Sequence, residues 1–260
     1  MSEPGKYVYC IVRCPEERSF DSVSPIGGGP GKVHTVRCGD LAAVVSDCAL
    51  SQYESTRINM LAHERVQETV MLELALLPVR FGTVANSGSP VDAITRLLRD
   101  RQQEFHGLLA DIAGKAELGL KALWKDDKIA FQDVLSERPD IKRLRDSIAS
   151  LPPAATRYER IHLGEMVKEA LDQKRAAVAE KILAGLRPIA VATVENKVMM
   201  DRMIANAAFL VEAAREKEFD SAVSRLDADM GAKVQFRYIG PVPPYNFVNI
   251  IVNWNREEGA

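Results

Sequence analysis

Lys233-Val234-Gln235-Phe236-Arg237-Tyr238-Ile239 runs directly into Gly240-Pro241-Val242-Pro243-Pro244-Tyr245-Asn246-Phe247-Val248. The first stretch mixes polar residues with β-branched and aromatic ones, which marks a strand. In the second, Pro241, Pro243 and Pro244 fit neither a helix interior nor a sheet ladder that needs every N–H. Each also drives the residue before it toward extended geometry. The chain therefore reads as a closing strand followed by a stiff, extended segment carrying Tyr245 and Phe247.

Working back from that strand, 216–230 has the spacing of a helix, and 205–211 and 189–194 read as strands. Before them lies a long helical stretch, 156–186, set off by Pro152-Pro153 from two shorter helical segments at 126–136 and 140–150. The segment 115–124 alternates and reads as a strand. Strand, helices, strand, strand, helix, strand is the ferredoxin-like order with an enlarged first crossover. The N-terminal half opens on a strand at 6–12, and a loop then ends in Gly27-Gly28-Gly29-Pro30-Gly31. Strands at 33–37 and 41–46 flank Cys38-Gly39-Asp40 as a hairpin. A helix follows over 55–76 with Ser55 as its N-cap, then a strand over 77–84 and a helix from Pro90 to about 112. The expected fold class is α+β: two modified ferredoxin-like domains with an added helical segment. Gly114 is the boundary, giving domains 1–113 and 114–260. The second holds the helical insertion at 126–186 and the Pro-rich tail at 240–260.

The 260 residues are 47% hydrophobic and 27% charged, with a formal net charge of -2. Those values suit a globular soluble chain and give no basic surface for nucleic acid. No apolar run is long enough to span a bilayer. The opening Met1-Ser2-Glu3-Pro4-Gly5-Lys6 lacks a basic region before an apolar core, so a cytoplasmic location is expected. Cys10, Cys14, Cys38 and Cys48 are then expected as free thiols. With His34 they suggest a metal cluster, but their spacing lacks the tight pairs of a zinc site.

Lys32 follows the glycine cluster, but Val33 stands where a P-loop needs Ser or Thr, and a strand follows instead of a helix. His63-Glu64 lacks the second histidine of a zinc-protease helix, since Gln67 occupies that place. No nucleophile motif is present. The expectation is a protein that is not an enzyme and has no cofactor. Arg80-Phe81-Gly82 reads either as part of a packed strand or as a strand end offering Arg80 as a polar contact. The helix at 156–186 either covers its sheet or meets a partner. Pro243-Pro244-Tyr245 is either a stiff clamp on its own domain or a pre-ordered aromatic contact.

Several blocks, in this order, resemble the gas vesicle protein F/L family. They are Tyr7-Val8-Tyr9-Cys10-Ile11-Val12, Gly39-Asp40-Leu41-Ala42-Ala43-Val44-Val45-Ser46, His63-Glu64 and Leu77-Pro78-Val79-Arg80-Phe81-Gly82-Thr83. Gly114-Lys115-Ala116-Glu117-Leu118-Gly119-Leu120-Lys121 and the block 240–248 complete the set. Val242 departs from the pattern, where a tryptophan is expected in many members. The resemblance implies two ferredoxin-like domains with a helical part and an accessory or minor structural role in gas vesicles. It implies the hydrophobic shell protein and other accessory proteins as partners, and it supplies no catalytic residue. The contact residues expected from the tail are Tyr245, Phe247, Pro243 and Pro244, with Arg80 as a polar candidate. A competing reading is a ligand-binding regulatory protein built on ferredoxin-like domains.

Overall fold

A computed structural model describes residues 4–28, 31–49, 52–86, 88–252 and 254. The chain is α+β and divides into two compact units, 1–117 with 241–260, and 118–240.

In the first unit, β1 (Gly5–Arg13) is the central strand. It lies antiparallel to β3 (Leu41–Cys48), which pairs outward with β2 (Val33–Cys38). Gly39, with φ of +65°, turns that hairpin, a backbone region that favours glycine. On the other side β1 meets β4 (Leu76–Pro78) and the short β5 (Val84–Ala85). The sheet order β2-β3-β1-β4 is ferredoxin-like. Between β1 and β2, however, stand a loop and a 3-10 turn at Ile26–Gly28 instead of a crossover helix.

The register of β1 against β3 slips between Val8 and Cys10, leaving Tyr9 bulged. A bulge breaks strict alternation. It turns Tyr9 and Cys10 toward the same face, where they pack with Tyr7, Val12, Val66 and Val70. This face lies under α1 (Arg57–Met71). Val8 and Ile11 point to the opposite face and pack with Ile94, Leu98 and Phe105. Those three come from α2 (Pro90–Asp100) and α3 (Gln102–Ile112). The sheet is thus buried on both faces, and each large apolar side chain it covers contributes about 1.5–3 kcal/mol.

Three local boundaries differ from the sequence reading. The N-cap of α1 is Thr56, whose hydroxyl accepts from Asn59 N–H, and not Ser55. The strand expected over 77–84 is interrupted between β4 and β5, where Gly82 has φ of +83°. The helix expected from Pro90 to 112 is two helices meeting at Arg101.

The second unit contains the ferredoxin-like order β7-β8-β6-β9. Its strands are β6 (Lys115–Trp124), β7 (Ala192–Glu195), β8 (Met203–Glu212) and β9 (Val234–Val242). The line between the units falls within β6 and within β9. The crossover from β6 to β7 is built of α4 (Asp127–Glu137), α5 (Pro139–Ile148) and α6 (Arg157–Leu186). A single helix, α7 (Glu216–Met230), joins β8 to β9. Ile182, Leu183 and Leu186 of α6 and Phe219 of α7 pack on Leu118, Leu120 and Phe209 of the sheet. Gly119 sits where β6 and β9 approach closely, and a Cβ there would lie 2.9 Å from Ile239 Cγ1. Pro241 is tolerated because β9 is an edge strand.

The tail departs from the sequence reading. It was expected with the C-terminal half, but 241–260 belongs to the first unit. Ile250 forms a parallel bridge with Val79, and Val248 and Ile250 are buried in the core beneath α2 and α3.

Candidate partner-binding surfaces

The tail folds into a turn because its prolines leave few geometries open. Phe247 and Val248 donate their N–H groups to Pro244 O at 3.1 and 2.9 Å. Pro243 and Pro244 are buried, and within the first unit they support this turn. Asn246 donates from its backbone N and from Nδ2 to the two oxygens of Glu117, at 2.8 and 2.5 Å. Glu117 is only 3% exposed. Burial pushes its carboxyl up, and the two Asn246 donors act against that. Further on, Arg101 Nη1 donates to Ile251 O at 2.9 Å. The tail is therefore a clasp within the first unit.

Two of the expected contact groups stay accessible on that clasp. Tyr245 is 40% exposed. Its phenol is nonetheless held above the ordinary tyrosine range, first by burial and then by the carboxylates of Glu64 and Glu68 on α1. One side of the ring therefore faces solvent while the hydroxyl sits deeper, near those acids. Arg80 is exposed and its Nε donates to Asn249 Oδ1 at 3.1 Å, which brings it to the tail. Phe247 is half-buried.

Beneath Arg80 lies a polar network that the sequence did not disclose. His63, on α1, is buried among Tyr7, Tyr9 and Phe81, with ring centroids 5.7–5.8 Å away. Its Nε2 lies 3.2 Å from Val79 O and 2.9 Å from Gln67 Nε2, and its Nδ1 lies 3.0 Å from the Tyr7 hydroxyl. That hydroxyl accepts in turn from Gly82 N–H at 3.0 Å. Gln67, one turn along α1, donates from Nε2 to Tyr9 O at 2.6 Å and to Val79 O at 3.2 Å. Burial lowers the His63 pKa to about 4, so the ring is neutral near pH 7. The network fixes the 79–82 turn that presents Arg80. The spacing of His63 and Gln67 by four on a helix was the available signal, but nothing in it named Val79 or Tyr7 as partners.

Elsewhere the groups that first suggested chemistry have other duties. Lys32 pairs with Asp21 at 3.0 Å. The four cysteines are free, and Cys10, Cys14 and Cys48 are buried. Among the described residues no group of three His, Cys, Asp or Glu side chains is placed to hold a metal ion. No helix among them is long and apolar enough to cross a membrane. What the surface does carry is exposed apolar area in the second unit. Met199, on the β7–β8 connection, is 71% exposed and Ile239, on the β9 edge, is 58% exposed.

Known proteins share this plan. The gas vesicle protein F of Nostoc sp. (strain PCC 7120) is 30% identical over 95% of this chain and 98% of its own length. The crystal structure of the gas vesicle protein GvpF from Anabaena sp. PCC7120 superposes with a TM-score of 0.82 at 26% identity, covering 96% of this chain and 100% of that one. The GvpF structure from Microcystis aeruginosa gives a TM-score of 0.76 at 26% identity over 94% of this chain and 98% of that one. The sequence pattern of the family described as Gas vesicle synthesis protein GvpL/GvpF matches residues 5–249. On that end-to-end match, this chain belongs to the GvpL/GvpF family.

Proposed function

We propose that this protein binds the hydrophobic shell protein of gas vesicles and limits its aggregation while the shell is built. Membership in the family makes the chain a gas vesicle accessory protein, and its relatives are structural or accessory proteins and not a known enzyme family. The single observation that carries the finer reading is the match from residue 5 to residue 249, which includes both sheets and the tail as far as Asn249. Subunits of an apolar shell expose aggregation-prone patches until they assemble. A chaperoning partner must offer apolar area and unpaired backbone to cover them. Met199 and Ile239 supply the first, and the edge position of β9 supplies a template for strand addition. On the first unit, the exposed side of Tyr245 with Arg80 is the contact we assign to the tail, Phe247 filling in behind it.

The test is co-purification with shell protein and light scattering of shell protein released from denaturant. The expected result is a complex and a concentration-dependent suppression of scattering. Shell protein that neither associates with this chain nor aggregates more slowly in its presence removes the proposal.

A further inference from the structure

The N-terminal half of α6 is unusually bare. Across residues 157–169 no side chain is buried, whereas Ile182, Leu183 and Leu186 in the last turns are. That bare half meets α4 and α5 along an open groove of about 320 Å³. Phe131 and Leu135 of α4, Ile141 of α5, and Leu163 and Val167 of α6 line its walls. Gly164 lines it too, and a Cβ built there meets no atom within 4 Å. The volume lies at the bottom of the ~300–1,000 Å³ range of small-molecule pockets. It suits a pair of aliphatic side chains better than a whole cofactor.

Charge distinguishes the occupant further. The lining includes Arg145 and Arg160 and no carboxylate. Arg145 is paired with Asp146 at 2.6 Å. Arg160 is held only by neutral acceptors: Thr156 Oγ1 at 2.9 Å and the carbonyls of Ile148 and Leu151, each at 3.3 Å. Its charge therefore faces the groove without a carboxylate partner among the described residues. An amphipathic helix lays aliphatic side chains three or four residues apart into such a trough, ridge into groove. A glycine in the trough lets the incoming ridge come close.

We propose that the α4–α5–α6 groove docks an amphipathic helix of a partner protein, through two aliphatic side chains one turn apart and an acidic residue set against Arg160. This rests on the proposed function only in expecting that partner among gas vesicle proteins.

The probe is a helical peptide with leucines at i and i+4 flanked by glutamates, measured by fluorescence anisotropy against the full chain. Gly164→Leu is the variant, because the space above Gly164 is open and leucine favours helix. It should leave the melting temperature unchanged or raised while weakening the peptide by about tenfold or more. A peptide with lysines in place of the glutamates should bind about tenfold more weakly to the unaltered chain. Equal affinity of the unaltered and Gly164→Leu chains, or of the acidic and basic peptides, overturns the assignment. So does binding of laurate in the groove without binding of the acidic peptide. A chain that takes the acidic peptide through the groove yet never associates with shell protein refutes the proposed function and leaves the groove assignment standing.

Discussion

Mild acid should loosen the first unit through one residue, His63. The ring is 5% exposed and its pKa falls to about 4 in the fold, against 6.5 for an ordinary histidine. The cause is burial, opposed by the hydrogen bond to Val79. The unfolded chain therefore takes up a proton at a pH where the folded chain refuses it. The stabilisation is fully present above pH 6.5 and is lost as the pH falls toward 4. A shift of that size corresponds to about 3 kcal/mol in total, of which about 2 kcal/mol disappears between pH 7 and pH 5. His63→Gln cannot titrate and keeps an amide donor for Val79 O. Urea unfolding at pH 7, 6 and 5 should show the unaltered protein losing about 2 kcal/mol more than the variant over that range. Trp254 packs in the first unit's core and Trp124 in the second's, so Trp124→Phe leaves a reporter on the unit that holds His63. Parallel losses in the two proteins would refute the reasoning, because every other titrating group is common to both.

Tyr245→Ala should weaken association with shell protein by about 1–3 kcal/mol, the range of a well-placed aromatic contact, with little change in melting temperature. A lowered melting temperature with intact affinity would make Tyr245 part of the clasp alone. Asn246→Ala removes a side-chain donor from buried Glu117 and should cost about 1–3 kcal/mol of stability, read by thermal unfolding. Gly119→Val drives side-chain atoms into Ile239 across the β6–β9 pair. It should destabilise the second unit by about 1–3 kcal/mol, measured by Trp124 fluorescence in a Trp254→Phe background. Gly164→Ala should raise stability by about 0.5–1 kcal/mol, since it relieves a helix-interior glycine without a clash.

What was legible in the chain was mostly local. The hairpin around Gly39 followed from alternation and a turn residue, and the helical segment read at 126–136 is α4, which Asp126 caps by accepting from Lys128 N–H. The order of strands and helices in the second unit was enough to indicate its ferredoxin-like plan. The bulge at Tyr9 was not legible, because it depends on what β3 offers across the ladder. The break between β4 and β5 was hidden for the same kind of reason: Leu76 to Val84 has strand composition, but His63 and Gln67 capture the Val79 carbonyl from α1. β7 begins at Ala192, later than expected, because Ile189 N–H is taken by Leu186 O at the end of α6. The tail's composition announced a restrained segment, yet composition is silent about which sheet a segment docks on. Tyr245 and Arg80 are exposed, which for each is one of the two alternatives the sequence left open. The burial of Pro243 and Pro244 was a property of the first unit's core and could not be read from the tail.

The first unit is completed by residues made after the whole second unit. Its core opens with β1 but needs Val248 and Ile250, and the whole second unit is encoded between them. At about 5–20 residues per second, translation of that intervening stretch takes on the order of 10 s. Through that interval the sheet at the N-terminus waits with the Val79 end of its core uncovered. The threading of this chain works against the usual order, in which the earlier-made domain folds first. A chain cut short before the tail should hold an incomplete first unit, prone to the same apolar association that the finished protein is proposed to prevent in its partner.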